Sequence, residues 1–279
     1  MDVKIRFNHV FFIYGAKQKN ALNDINLCFE NNEIVFIMGA TGSGKSTLVQ
    51  HLNGLLLCKE GDVKINIQDN EFVLNKSNKI KNINDLRKEI GLVFQFPEYQ
   101  LFETTVIKDV MFGPYNFYKD ENKAKEMAVN ALNKVGIDES YYERSPFDLS
   151  GGEKRKIAIA GVLAADPSVI VMDEPTSSLD PLSTKEMMGL IKELKDEGKT
   201  IIVISHDVDL CYEYADRVVI MNDGEIMLDT KPDKAFRDNE VLNKACLQEP
   251  FINKAKRILG IEDNSVRNIK SLKEVIKNG

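Results

Sequence analysis

The sequence predicts an α/β fold with a mainly parallel sheet. Three short apolar runs have the length of buried strands, at residues 34–38, 169–172 and 200–204. A helical pattern follows each run, and alternating strands and helices build parallel sheets because each helix carries the chain back to the same edge. Asn222-Asp223-Gly224, between two further strand patterns, predicts one antiparallel hairpin beside them.

A second, smaller sheet is expected near the start of the chain. Apolar and polar residues alternate over 3–14, 22–29 and 61–67, which is typical of half-buried antiparallel strands. Residues 66–84 are polar and rich in Asn and Lys, and they predict a long hairpin or loop.

Helical periodicity marks two further units. Residues 123–135 have the spacing of an amphipathic helix, and residues 154–164 predict another helix. These helical residues separate two strand-rich halves, which indicates a helical insert at about 96–165. After about residue 231 the chain is charged and helical. We therefore expect one domain over 1–230 and a small C-terminal helical domain over 231–279.

Composition narrows the class of protein. The 279 residues carry a net charge of −6 without a strong basic block, so nucleic acid is not an expected partner. We find neither an apolar run near the ~18 residues that span a bilayer nor a signal-peptide pattern at the N-terminus. The four cysteines lack metal-binding spacing and indicate reduced thiols. We expect a cytosolic chain that reaches a membrane only through partners.

The loop after the first buried run has the chemistry of a triphosphate site. Residues 39–46 fit the pattern G-x-x-x-x-G-K-[ST] between a strand and a helix. Its glycines let backbone amides curl around an anion at the positive end of the helix. Lys45 is suited to reach the β- and γ-phosphates, and the Ser46 hydroxyl to bind Mg²⁺. The alternative is an ordinary Gly-rich turn with a surface lysine.

Two carboxylates follow another buried strand. Asp173 and Glu174 stand at its carboxyl end, where ligands bind in open α/β sheets. One carboxylate there can hold Mg²⁺, and the second can orient or deprotonate an attacking water. The alternative is a pair of solvated acids that cap the strand.

Ser150-Gly151-Gly152 predicts a second helix end that binds anions. About a hundred residues separate it from the first. Either both helix ends serve one nucleotide, or each serves a site shared with another copy of the chain.

Taken in order, these motifs resemble those of the ATP-binding cassette (ABC) ATPases over about residues 3–230. Residues 39–46 match the Walker A motif, 149–153 the signature, 169–173 the Walker B strand and 178–180 the D-loop. The resemblance implies a P-loop NTPase fold with a RecA-like parallel core, an antiparallel β subdomain and a helical subdomain. It also implies a head-to-tail dimer, in which each ATP lies between the Walker motifs of one protomer and the signature of the other.

The resemblance assigns roles residue by residue. Glu174 would hold the attacking water, His206 would contact the γ-phosphate, and Gln95 would sense the metal and the phosphate. Mg²⁺ would be held by Ser46, Gln95 and Asp173. ATP would contact Tyr14, Gly39, Thr41, Gly42, Ser43, Gly44, Lys45, Ser46 and Thr47, and from across the dimer Ser150, Gly151, Gly152 and Asp180.

Two positions leave alternatives open. Tyr14 is placed to stack on a purine face, but it can equally be a half-buried tyrosine at a strand end. Glu153 stands where the family signature usually has Gln. Facing the phosphates, its charge would weaken nucleotide binding; facing solvent, or paired with Lys154 or Arg155, it would matter little.

Residues 95–114 and 159–164 resemble the energy-coupling factor (ECF) branch, as does the helical tail, and residues 173–176 resemble the second of its two paralogous ATPases. This implies an importer of vitamins or transition-metal ions on the cytoplasmic side of the cell membrane. Its partners would be a paralogous ATPase in a heterodimer, a transmembrane coupling protein and a substrate-binding membrane subunit. The ATPase of another importer and a soluble ABC ATPase are the alternatives.

Residues 96–112 combine aromatic side chains with Glu98 and Glu103. Such a segment suits an amphipathic helix that carries arginine, which is the coupling mode of the branch. The alternative is that these residues pack the core of the helical insert.

Overall fold

A computed structural model describes residues 3–15, 19–77, 82–263 and 265–278. Within these ranges the strands are β1 (Val3–Phe12), β2 (Leu22–Phe29), β3 (Ile34–Met38), β4 (Glu60–Ile67), β5 (Asn70–Leu74), β6 (Ile90–Val93), β7 (Val169–Asp173), β8 (Thr200–Ile204), β9 (Arg217–Asn222) and β10 (Glu225–Thr230). The helices are α1 (Lys45–Gln50), α2 (Ile83–Glu89), α3 (Val106–Tyr118), α4 (Glu121–Lys134), α5 (Gly151–Leu163), α6 (Pro181–Asp196), α7 (Val208–Tyr214), α8 (Pro232–Ala235), α9 (Asn239–Lys244), α10 (Phe251–Leu259) and α11 (Ile269–Asn278).

The larger sheet confirms the predicted parallel core. Its strand order is β10-β9-β3-β8-β7-β6, and the pairs from β9 to β6 are parallel. All five residues of β3 are buried, as expected for a strand covered on both faces. The edge strand β10 runs antiparallel to β9 through the predicted hairpin, where Asp223 adopts a left-handed conformation (φ 51°). The carboxyl ends of the parallel strands therefore share one edge, where the predicted phosphate loop and the two predicted carboxylates lie.

A four-stranded antiparallel sheet, in the order β2-β1-β4-β5, covers one face of the parallel core. The predicted long hairpin is partly confirmed, because β4 and β5 pair from Val63 with Leu74 to Ile67 with Asn70. Residues 78–81 of the segment predicted as a hairpin or loop lie outside the described residues.

Helices α3, α4 and α5 pack together as the expected helical insert, around buried residues such as Val110, Leu132 and Ile157. Helix α5 begins at Gly151 with Ser150 as its N-cap, which confirms the helix start predicted at Ser150-Gly151-Gly152. Helix α1 ends at Gln50, and residues 51–54 form a turn after it. Among the described residues, each helix is too short or too polar to cross a bilayer.

The C-terminal helices pack on α7 and share the core of the parallel sheet. Phe236, Leu242, Ile252 and Leu272 belong to the same buried cluster as residues of β3 and β8. Arg267 donates hydrogen bonds to the carbonyl of Ala215, just after α7, and to Asp233 at the start of α8. The division of the chain at residue 230 stays a prediction.

One arginine joins the two sheets. Arg217 on β9 binds both carboxylate oxygens of Asp229 on β10, at 2.6 and 2.9 Å, and Glu33 before β3, at 2.9 Å. Its guanidinium also donates to the carbonyl of Cys28 on β2. The side chains of Arg217 and Glu33 are only 20% and 15% exposed, so removal of the arginine would leave the Glu33 carboxylate with little solvent and without this counter-charge.

We therefore expect Arg217→Met to lower the free energy of unfolding by about 3 kcal/mol, the low end for breaking a largely buried ion pair. Lys244→Met is the control, because Lys244 pairs with Glu240 at the surface of α9 and such pairs contribute little. Chemical denaturation of both variants measures the difference. Equal stability of the two variants would contradict the role given to Arg217.

Candidate nucleotide-binding site

The loop between β3 and α1 forms a tight cradle at the carboxyl edge of the sheet. Gly39 has φ 140°, and a Cβ atom there would lie 2.1 Å from the carbonyl oxygen of Met221 on β9. Gly44 has φ 103°, and its Cβ would lie 2.5 Å from the carbonyl oxygen of Ala21. Neither position accepts a side chain without backbone movement. Thr41 and Gly42 form the exposed crest of this loop, and Ser43 is buried beneath it.

Lys45 crosses under the loop. Its Nζ donates to the carbonyl oxygens of Gly39 and Ala40, both at 2.8 Å. Burial lowers the pKa of this amine, and the nearby carboxylates of Glu174 and Asp173 act in the opposite direction. The ammonium group of Lys45 is held by neutral carbonyl oxygens and has few water contacts. A polyphosphate can replace these carbonyls as hydrogen-bond acceptor and supplies the negative counter-charge that they do not.

Ser46 and Asp173 bring two oxygen donors together. The Ser46 hydroxyl donates to the Asp173 carboxylate at 2.9 Å. Burial raises the pKa of Asp173, while the bond from Ser46 and the charge of Lys45 partly offset that effect. A hydroxyl and a carboxylate fit Mg²⁺, which takes its remaining ligands from phosphate and water. Consistent with so sparse a donor set, no cluster of three His, Cys, Asp or Glu residues occurs in the described part of the chain.

Glu174 and His206 form a second pair beside Lys45. His206 Nδ1 lies 3.0 Å from Glu174 Oε1; the histidine side chain is 74% exposed and the glutamate 14%. Glu174 adopts a left-handed conformation (φ 52°), and its amide donates to the carbonyl of Ile204 at the end of β8. A non-glycine residue held in that conformation marks a constrained position, of the kind found at functional sites.

Lys45, Glu174 and His206 line an open cleft of about 720 Å³, together with the loop residues Gly39, Ala40 and Thr41. Ser46 and Asp173 are not part of its lining. Sequence reasoning missed its far wall, which is formed by Cys246, Leu247 and Gln248 after α9. No motif marks these three residues, and only the packing of the C-terminal helices on α7 brings them there. The lining of the cleft does not include Gln95, which is exposed two residues beyond β6, the neighbour of β7.

Tyr14 lies beyond the end of β1 and is 58% exposed, so it is not the half-buried strand residue of the alternative interpretation. Its hydroxyl lies 3.0 Å from the hydroxyl of Thr47 on α1. Its ring meets Phe12 edge to face, and Phe12 meets the buried His51 in the same way. These contacts hold an exposed aromatic ring beside the phosphate loop.

The second helix end lies in the insert, and its glutamate makes contacts that the sequence did not suggest. Glu153 accepts hydrogen bonds from the amide and hydroxyl of Ser150, at 2.8 and 2.7 Å, and from the hydroxyl of Tyr141 at 2.8 Å. These bonds lower the pKa of Glu153 to about 2. Of the alternatives that the sequence left open for Glu153, pairing with Lys154 or Arg155 is not observed, because the carboxylate closes a capping box with Ser150.

Gly151 and Gly152 face open space. A Cβ added to either glycine would meet no heavy atom of the described residues within 4 Å. Asp180, in the loop after β7, caps α6 by accepting from the amides of Leu182 and Ser183. The chain therefore gathers Lys45, Asp173, Glu174 and His206 at one edge of the parallel sheet and presents the signature elsewhere on its surface.

Some residues of segment 96–112 pack the core of the insert, and others are exposed and available to a partner helix. Val106, Ile107 and Val110 are buried in the core of the insert. Five aromatic side chains between residues 96 and 115 are exposed, and we call this set the aromatic patch: Phe96, Tyr99, Phe102, Phe112 and Tyr115. Glu98 points inward instead and forms an ion pair with the buried Arg155. It is therefore not the free surface carboxylate that the sequence suggested.

Comparison with known proteins agrees with this site. A family model described as "ABC transporter" matches residues 22–177. The energy-coupling factor transporter ATP-binding protein EcfA2 of Lactobacillus johnsonii is 43% identical over 260 residues, which cover 92% of this chain and 89% of that protein. EcfA2 of Clostridium perfringens is 45% identical over 255 residues, which cover 90% and 87% of the two chains.

Solved structures show the same fold. CbiO1 of Clostridium perfringens, described as part of the ABC transporter complex cbiONQ, superposes with a TM-score of 0.74 at 35% identity, covering 94% of this chain and 100% of that one. The dimeric ATP-binding cassette MJ0796 bound to ADP and Pi superposes with a TM-score of 0.72 at 29% identity, covering 82% and 98%.

Family, relatives and structural neighbours all point to the protein class that the phosphate loop, the strand-end carboxylates and the second helix end indicate. The chain therefore belongs to the ABC transporter family, as an ATP-binding subunit of the energy-coupling factor branch, in which ATP hydrolysis is coupled to transport.

Proposed function

We propose that two such ATPase chains clasp ATP between them and that this closure drives import through membrane subunits. The observation that carries the proposal is the open surface at Gly151 and Gly152. A side chain at either position would clash with nothing in the described part of the chain. The close approach of a ligand bound by another molecule would explain why both residues are glycine. Each chain then supplies two half-sites, one at Lys45 and one at Ser150.

In the closed state each residue of the cleft has a task. Lys45 and the loop amides neutralise the phosphates, and Ser46 and Asp173 hold Mg²⁺, which supplies charge stabilisation to the γ-phosphate. Glu174 accepts a proton from the attacking water, and His206 contacts the γ-phosphate. Gln95 links the metal site to the insert, Tyr14 stacks on adenine, and Asp180 contacts the loop of the opposite chain.

The membrane partners would dock on the aromatic patch. Exposed aromatic rings that are fixed in place suit an amphipathic helix of a transmembrane coupling protein. The ring pairs Phe96–Tyr99 and Phe102–Phe112 lie 6.2 and 4.9 Å apart, and Asp109 fixes the loop between them through the amides of Phe102 and Glu103.

The full assembly would sit on the cytoplasmic face of the cell membrane. It would contain a paralogous ATPase, the coupling protein and a substrate-binding subunit for a vitamin or transition-metal ion. The likeness to EcfA2 proteins supports the heterodimer. The motif-bearing domain 1–230 would perform the chemistry, and the helices of 231–279 would support α7 and the wall of the cleft.

Glu174→Gln tests the assignment of the base. The amide keeps the shape of the side chain but cannot accept the proton, so turnover should fall at least about 100-fold while ATP binding and the ATP-dependent dimer persist. Phosphate release and sedimentation measure the two properties. Glu186→Gln, on the exposed face of α6, is the control. Normal turnover in Glu174→Gln would refute this assignment.

Glu153→Gln tests whether the acid in the signature harms ATP use. Its charge is already satisfied by Ser150 and Tyr141, and glutamine also forms capping boxes. We expect the ATPase rate to change less than about tenfold, which corresponds to about 1.4 kcal/mol. Tyr141→Phe is the companion variant, since it removes one donor and keeps the acid. A larger loss in Glu153→Gln would reveal a specific role for this carboxylate.

Co-purification from detergent extracts tests the transport assembly. Tagged wild-type chain should retain a second ATPase and membrane proteins, identified by intact-complex mass spectrometry. Tyr99→Ala combined with Phe102→Ala should lose the membrane proteins but keep ATP binding, whereas Leu55→Ala, an exposed apolar residue outside the aromatic patch, should lose neither. Recovery of ribosomes or DNA in place of membrane proteins would favour a soluble ABC ATPase.

A further inference from the structure

A buried arginine connects three segments that nucleotide closure must move. Arg155, on the first turns of α5, is only 5% exposed. Its Nη1 donates to the carbonyl oxygen of Ser177 at 2.7 Å, and its Nε lies 3.5 Å from Glu98 Oε2. Ser177 immediately precedes segment 178–180, and Glu98 lies in the short turn after Gln95.

The ion pair with Glu98 is incomplete. Arg155 Nε and Glu98 Oε2 are both buried, and neither has a hydrogen-bond partner among the described residues. A charge-assisted hydrogen bond is normally about 2.8 Å long, so these two atoms are attracted to each other but stop short of bonding. Buried charges in this state are costly, and a small approach of the two segments would remove the cost.

Arg155 also lies at the boundary between the insert and the catalytic core. A cavity of about 440 Å³ lies between α5 and α6 and is lined by Gly152, Arg155, Leu179 and Met187, among others. The hydrogen bond from Arg155 to Ser177 crosses the boundary beside this cavity, whereas the longer contact with Glu98 lies within the insert.

We infer that Arg155 is a positioning residue that couples the signature helix to the segments around Gln95 and Asp180. When ATP draws the insert into place, Arg155 and Glu98 close into a hydrogen-bonded pair while the bond to Ser177 keeps segment 178–180 in register with α5. The helix end at Ser150 and segment 95–100 then move as one body. The inference rests on the proposed ATP-driven closure.

The adjacent residue provides a matched control. Lys156 bridges α5 and α6 through Glu186 at 3.1 Å, and this pair is exposed. If any ion pair at the boundary were enough, Lys156→Met would act like Arg155→Met. Lysine at position 155 offers one point charge in place of a planar fork, so Arg155→Lys cannot bind Ser177 and Glu98 together in the same geometry.

The test uses the full chain in the dimer identified by co-purification. For Arg155→Met we expect kcat to fall about tenfold or more, as for the loss of a hydrogen bond from a charged donor. Binding of the fluorescent analogue mant-ATP to the separate chain should stay within about twofold, because Arg155 is not part of the ATP cleft. In a Glu174→Gln background, the ATP concentration needed for dimer formation should rise. Lys156→Met should match the wild type in each assay, and Arg155→Lys should lie between.

A double variant separates positioning from folding. Arg155→Met alone strands the Glu98 charge and lowers the melting temperature; Glu98→Met added to it removes that charge and should restore stability. The double variant should regain its melting temperature and not its kcat. Recovery of kcat together with stability would overturn the inference, as would full kcat in Arg155→Met. A wild-type chain whose assembly does not respond to ATP would instead contradict the proposed closure itself, and this inference with it.

Discussion

The backbone conformation of the phosphate loop is the constraint on which the rest of the structure depends. At Gly39 and Gly44 the loop passes so close to the backbone of Met221 and Ala21 that a side chain does not fit. The amides of the loop can then converge on an anion because the carbonyl groups beneath it are taken by Lys45. The hairpin between β9 and β10 closes the loop from behind, since the amide of Gly224 bonds the carbonyl of Ser43.

The parallel sheet converts this loop into a reaction site. Strands β3, β7 and β8 end at one edge, and their ends carry the loop, Asp173 with Glu174, and His206. Burial shifts the pKa of Lys45 down and that of Asp173 up, in each case towards the neutral form. The attraction between the lysine and the carboxylates limits both shifts. A magnesium–triphosphate complex carries a positive metal ion, which suits the carboxylates, and negative phosphates, which suit Lys45.

The second helix end, at Ser150, is capped by its own chain. Ser150 and Glu153 satisfy each other within the chain, while the glycines between them face outward. This surface is stable alone and accessible to a ligand held by another molecule. The buried Arg155 lies on the same helix and connects it, within the chain, to Ser177 and to Glu98.

The sequence by itself determined the parallel core, the antiparallel sheet, the insert and the starts of the two helices at Lys45 and Gly151. These features depend on local rules: periodicity, glycine spacing and capping residues, which act within a few positions along the chain. Tertiary structure alone decided the partners of Glu153 and Glu98 and the wall of the cleft at 246–248. A carboxylate bonds whichever donor the fold brings within 3 Å, and Tyr141, Arg155 and the helices on α7 reach their places through packing over distances that no local pattern encodes.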